Sequence, residues 1–206
     1  PRWWFDPEAL VGAFTSSTRL VLLNTPHNPT GKVFTREELE HLGALCRAHD
    51  VVLLSDEVYD HLTFAPAVHV RPATLPDLAD RTVTVGSAGK TFSFTGWKVG
   101  WILAPPSLRD AVQRAHQFIT FCTPAPLQQA VVVGLELPDS WFQGFRAGYL
   151  SRRTRLLGGL ERAGLTAFTP EGSYFALADL RPLGVRDDVA FCRHLTREVG
   201  VAAIPL

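Results

Sequence analysis

Residues 19–55 read RLVLLN, TPHNPTGKVF, TREELEHLGALCRAHD and VVLLS, and this stretch decides the fold. Its two ends, residues 19–24 and 51–55, are short apolar runs rich in Val and Leu, the length of strands rather than of helices. Between them Thr35 stands three residues before Glu38, so that hydroxyl and carboxylate can satisfy the free amides of a helix start. Leu39, Leu42, Leu45 and Cys46 then fall on one helical face. Strand, helix, strand in this order predicts a parallel sheet covered on both faces by helices.

Outward from this unit, residues 82–85 and 99–103 supply two more strand-like runs. Residues 108–121 and 127–137 read as helices, the second entered through Pro124 and Pro126. Residues 140–163 follow a long amphipathic pattern with arginines at Arg152, Arg153 and Arg155, and Gly164 can end it. The rhythm then changes: strands are expected at 165–168, 174–178 and 201–206 and a helix at 189–199, a smaller α+β unit. A domain boundary is expected near residue 146, with 1–145 in a large domain and 146–206 comprising an interdomain helix and part of a small domain.

Composition narrows the classes. The chain has 206 residues, 46% hydrophobic and 19% charged, with 20 basic residues against 20 acidic, which excludes disorder and a collagen-like repeat. Net charge near zero argues against a large nucleic-acid surface. No apolar run approaches the roughly 20 residues of a membrane span. Cys46, Cys122 and Cys192 are odd in number and far apart, suggesting neither a disulfide framework nor a zinc site, and the seven histidines show no metal-ligand spacing. A reducing compartment is the natural setting. Methionine is absent and Pro1 comes first, so the chain reads as a piece with sequence expected beyond both ends.

The chemistry begins with lysine. Lys32, Lys90 and Lys98 are the only three, arginine supplying every other basic residue. Unlike arginine, lysine can lose its proton and attack a carbonyl to form a Schiff base. Lys90 follows residues 82–85 through Gly86, Ser87, Ala88 and Gly89, small residues that would let a bulky ligand approach the backbone. The GSAGKT of 86–91 is not a nucleotide phosphate loop: the required first glycine is Thr84, and residues 92–97 are poor material for opening a helix.

Four segments stand just beyond strand ends: Asn28, Pro29, Thr30 and Gly31; Asp56, Glu57, Val58 and Tyr59; Ser87 to Lys90; and Lys98. An open parallel α/β sheet places its ligands in that crevice.

The succession NPTG at 28–31, DEVY at 56–59, SAGK at 87–90 and TGWKVGW at 95–101 resembles the class I/II aminotransferases, pyridoxal-phosphate enzymes of fold type I. The wording is most similar to kynurenine, glutamine and methionine aminotransferases and cysteine-conjugate β-lyases, with succinyldiaminopimelate aminotransferases close behind. The resemblance implies an α/β three-layer sandwich with a mostly parallel sheet, its N-terminal part missing, plus an incomplete α+β small domain. It implies pyridoxal 5'-phosphate, amino-acid and 2-oxo-acid substrates, and a cytoplasmic homodimer with shared active sites.

Residue by residue, it puts Asp56 beside the ring nitrogen, Asn28 and Tyr59 at the phenolic oxygen, Ser87 and Lys98 at the phosphate, and Lys90 as the group that holds the cofactor and then moves the substrate's α-proton. Lys98 stands where other members carry arginine. Gly172, Ser173, Tyr174 and Phe175 resemble a small-domain segment facing the site, and as residues form an ordinary turn entering a strand. The family's glycine-containing phosphate loop, ring-stacking aromatic and carboxylate-gripping arginine have no counterpart here. β-Elimination at carbon–sulfur bonds and a non-catalytic effector domain are the competing readings. His27 is at most a neighbour of the ligand contacts, Trp3 and Trp4 are expected to pack, and Arg152, Arg153 and Arg155 to line a solvated helix face.

Overall fold

The computed structural model describes residues 3–206. In chain order its helices and strands are α1 (Pro7–Ala13), β1 (Leu20–Asn24), α2 (Arg36–Ala48), β2 (Val52–Asp56), β3 (Thr82–Ser87), α3 (Ala88–Thr91), β4 (Gly100–Leu103), α4 (Pro106–Ile119), α5 (Ala125–Leu135), α6 (Asp139–Arg162), β5 (Thr166–Phe168), β6 (Leu177–Asp179) and α7 (Asp188–His194). A four-stranded sheet runs β1-β2-β3-β4, the first three strands parallel and β4 antiparallel, and β5 pairs antiparallel with β6. This is the α/β class with a mostly parallel sheet that the alternation of runs implied.

The capping box at the start of α2 forms: Thr35 Oγ1 accepts from the Glu38 amide at 3.2 Å, and Glu38 Oε2 accepts from the Thr35 amide at 2.8 Å. The other Glu38 oxygen takes Lys32 Nζ at 2.7 Å, and that amine also lies 4.9 Å from the Phe34 ring centroid. Lys32 is thus a structural lysine, 7% exposed, tying the loop after β1 to the helix that follows. Leu39, Leu42 and Cys46 of α2 are buried against Leu23, Val51, Leu53, Leu75 and Leu78, the main core, with Leu45 partly buried beside them. A second cluster joins Val131 of α5 to Ala88 and Val99. On the face opposite the α2 core, Leu20 and Leu22 of β1 stay exposed, and so does Ile102, which pairs with Val85.

The outer elements depart from expectation in three places. The strand expected at 174–178 is observed at Leu177–Asp179, where it pairs with Thr166–Phe168; ahead of it the Glu171 and Gly172 amides donate to Gly31 O, each at 2.8 Å, and Ser173 N donates to Leu62 O at 2.9 Å. No strand forms at 201–206; these residues are exposed and have no neighbouring strand among the described residues to pair with. Trp3 packs on Phe168 at 4.8 Å between ring centroids, but Trp4 is 76% exposed. Residue 146, where a domain boundary is expected, lies inside helix α6.

Candidate active site

Parallel register brings the motifs to one edge. Asn24 is the last residue of β1 and pairs with Asp56, the last of β2, which pairs with Val85 of β3. Asn24 also ties the first two loops together: its Nδ2 donates to Asp56 O at 3.1 Å, and its Oδ1 accepts from the Asn28 amide at 2.7 Å. Within the loop after β1, Gly31 adopts φ +71°, where a side chain is disfavoured, and a Cβ there would run into Pro170.

Lys90 sits on α3, a single helical turn directly after β3. Two of the small residues before it are needed for packing. A Cβ on Gly86 would meet the Trp101 indole, and one on Gly89 would lie 2.8 Å from Thr95 Cα. Lys90 itself is half-buried, and its Nζ donates to the Tyr174 hydroxyl at 3.2 Å. The Tyr59 hydroxyl donates to the same oxygen at 3.4 Å, with the two phenol rings edge to face at 5.1 Å.

Tyr59 is 3% exposed. Burial first, then the hydrogen bond and proximity of Tyr174 and the negative charge of Asp56, push its phenol well above the ordinary tyrosine range. It is therefore a neutral hydrogen-bond donor at any physiological pH.

The remaining predicted residues are placed less tightly. Asp56 is half-buried; its Oδ1 accepts from the Val58 amide at 3.2 Å, and its other oxygen receives no hydrogen bond among the described residues. Ser87 ends β3 half-buried, Asn28 is exposed, and neither side chain is hydrogen-bonded to a described residue. Lys98 is exposed, at φ +56°, with no contact recorded to the others. The structure thus joins Tyr59 to Lys90 through Tyr174, and Asn28 to Asp56 through Asn24, and leaves the donors of Asn28, Ser87 and Lys98 unspent.

Asn24 is the residue of this arrangement that sequence reasoning missed. A polar residue closing an apolar strand was the only trace of Asn24, whereas Tyr174 stood in the segment whose resemblance implied that it faces the site, with no partner assigned to its hydroxyl. His27 bonds Thr30 across 2.7 Å, within the loop after β1.

The whole chain, residues 1–206, matches the family described as Aminotransferase class I and II. The chain belongs to this aminotransferase family. It is 40% identical over 223 residues to a kynurenine–oxoglutarate transaminase of Dictyostelium discoideum, the match covering 98% of this chain and 51% of that protein. Among solved structures it is similar to the N-succinyldiaminopimelate aminotransferase of Mycobacterium tuberculosis, with TM-score 0.94 and 42% identity over 98% of this chain and 52% of the other. A second, YbdL of Escherichia coli, reported with a methionine aminotransferase function, gives TM-score 0.93 and 36% identity over 100% of this chain and 54% of the other. The chain spans about half the length of the curated relatives it matches.

In this aminotransferase chain, Tyr174 is held by a clasp that the sequence did not announce. Arg153 Nη1 donates to Pro170 O at 2.7 Å while its guanidinium lies 4.4 Å from the Phe64 ring centroid. Phe64 N donates to Glu171 O at 2.8 Å, and Glu171 Oε2 accepts from Val33 N at 3.1 Å. Arg153 therefore faces protein, whereas Arg152 and Arg155 are exposed as expected. Along α6, Trp141, Phe145 and Tyr149 form a column four residues apart, and Tyr149 stacks on Tyr174 at 6.0 Å. Among the described residues no cluster of His, Cys, Asp and Glu could hold a metal ion, and no helix is long and apolar enough to cross a membrane.

Proposed function

We propose that the intact protein is a pyridoxal-phosphate-dependent aminotransferase that carries an amino group from an amino acid to a 2-oxo acid. The observation that supports this most is the meeting of Lys90 and Tyr59 on the Tyr174 hydroxyl, at the sheet edge where Asp56 and Asn28 arrive. The residues present fit the cofactor by their chemistry: a carboxylate with one oxygen free, a neutral buried phenol, and an amide, a hydroxyl and a second cation whose donors are unspent.

Bound there, the cofactor supplies an aldehyde and an electron-withdrawing ring that loosens the hydrogen on the substrate's α-carbon. Asp56 would keep the ring nitrogen protonated through its free oxygen. Asn28 and Tyr59 would donate to the ring's phenolic oxygen, and Ser87 with Lys98 would receive the phosphate, Lys98 as a point charge without arginine's fork. Lys90 would hold the aldehyde and, once displaced by the substrate amine, take and return the α-proton. The Tyr174 hydroxyl gives that amine a resting partner at 3.2 Å.

Relatives named for kynurenine, N-succinyldiaminopimelate and methionine favour substrates of that range. A cytoplasmic homodimer completes the proposal. Borohydride reduction of the intact protein with pyridoxal phosphate, followed by peptide mapping, should place the label on Lys90; label on another residue refutes the assignment. Amino-group transfer to a 2-oxo acid should then be measurable. Release of pyruvate and ammonia from a cysteine conjugate with no such acceptor would point to β-elimination instead.

A further inference from the structure

Glu57 follows Asp56 in the chain but serves the other side of the sheet. Asp56 shares a face with Asn24 and Val85, whereas Glu57 reaches Thr84, which by register shares the opposite face with Ser55. Its carboxylate is nearly sealed from water, at 2% exposure, and both oxygens are used. Oε1 accepts from Thr84 Oγ1 at 3.2 Å, and Oε2 meets His69 Nε2 at 2.7 Å. The Glu57 amide donates to Val85 O at 3.0 Å. The His69 side chain is 5% exposed, and its Nδ1 is buried with no partner among the described residues, where the ring's one hydrogen bond is to Glu57.

These partners lie on the elements that carry the proposed site. Thr84 is on β3, which leads to Ser87 and Lys90, and His69 is on the returning arm of the loop that begins with Val58 and Tyr59. Arg71 closes the same loop a second time by donating to Asp60 Oδ2 at 3.0 Å. An apolar side chain of similar size would fill the space beneath the sheet without the desolvation that a buried carboxylate suffers. What the carboxylate adds is direction, two oxygens each fixed on a different element.

We propose that Glu57 is a positioning residue. By tying the end of β2 to Thr84 and to His69, it keeps the Asp56 carboxyl and the Tyr59 hydroxyl in register with Lys90. This rests on the cofactor reading above and goes beyond it by assigning Glu57, His69 and Thr84 a task for which no ligand contact is needed.

The test uses the intact protein and pyridoxal phosphate, with cofactor affinity read by fluorescence titration and the pH dependence of the bound cofactor's absorption band as a second readout. Glu57→Leu should weaken cofactor affinity by about tenfold or more and displace the band's titration, as losses among groups that orient direct ligands do. Glu57→Gln, which keeps an acceptor and the side-chain length, should stay within about threefold of the unaltered protein. Thr84→Val removes one hydroxyl at constant shape, and it covers the case that Glu57→Leu does not fold. It should cost about threefold to tenfold in affinity. Unchanged affinity and band titration in Thr84→Val, or a Glu57→Gln protein as impaired as Glu57→Leu, would overturn the positioning role. Failure of the unaltered protein to label at Lys90 would instead refute the cofactor reading itself.

Discussion

The Lys90 amine donates to the Tyr174 hydroxyl across 3.2 Å, although 84 positions separate the two in the chain. Tyr174 reaches that point because the turn before it is stitched to the loops after β1 and β2, not because of anything in its own neighbourhood of sequence. Tyr174→Phe keeps the ring stacking and removes only the acceptor. In the intact protein it should lower kcat by about tenfold with KM little changed, the value of roughly one hydrogen bond. Steady-state kinetics on this variant and the unaltered protein decide it, and an unchanged kcat would leave the hydroxyl without a role.

Tyr59 makes stability depend on alkaline pH. Unfolded, its phenol ionises near the ordinary value of 10.0; folded, burial and its neighbours hold the proton to higher pH. The resulting stabilisation is complete below pH 10.0 and is lost as pH rises from there through the raised folded value. Urea midpoints for the unaltered protein should fall above pH 10.0, and Tyr59→Phe should lessen that fall.

Arg153 clasps the turn that presents Tyr174. Arg153→Ala removes both the bond to Pro170 O and the cover over Phe64, and should destabilise by about 1–3 kcal/mol. Amide exchange should accelerate most at Glu171, Gly172 and Ser173. Uniform acceleration across the α2 core would show that the effect is global and the clasp unimportant.

Lys32 and Thr35 test the start of α2 separately. Thr35→Ala loses the cap and should cost about 1 kcal/mol in urea denaturation. Lys32→Met strands a carboxylate oxygen of Glu38, which is 22% exposed, and should cost about 2 kcal/mol. Because both act through Glu38, the double variant should cost less than the two losses added together.

The strand–helix–strand core was legible because its signals are local. The apolar runs, the Thr35–Glu38 pairing and the face of Leu39, Leu42 and Cys46 each lie within one turn or one strand, and the structure keeps all of them. Lys90 could be singled out by residue type and by position after a strand end, whereas the roles of Asp56, Tyr59 and Asn28 came from the resemblance of the motifs that hold them. The strand expected at 201–206 failed for the converse reason: an apolar run states a willingness to pair, but only a neighbouring edge makes a strand.

By itself the sequence determined the alternation of strands and helices and the parallel order of the first three strands, which follow from side-chain period and capping, and, through the resemblance of its motifs, the short list of residues able to do chemistry. Only the tertiary structure decided which of them meet. Asn24 between two loops, Tyr174 beside Lys90, Arg153 on Pro170 and Glu57 with His69 and Thr84 are contacts between distant segments. Their partners are chosen by register and packing, which no local pattern of residues contains.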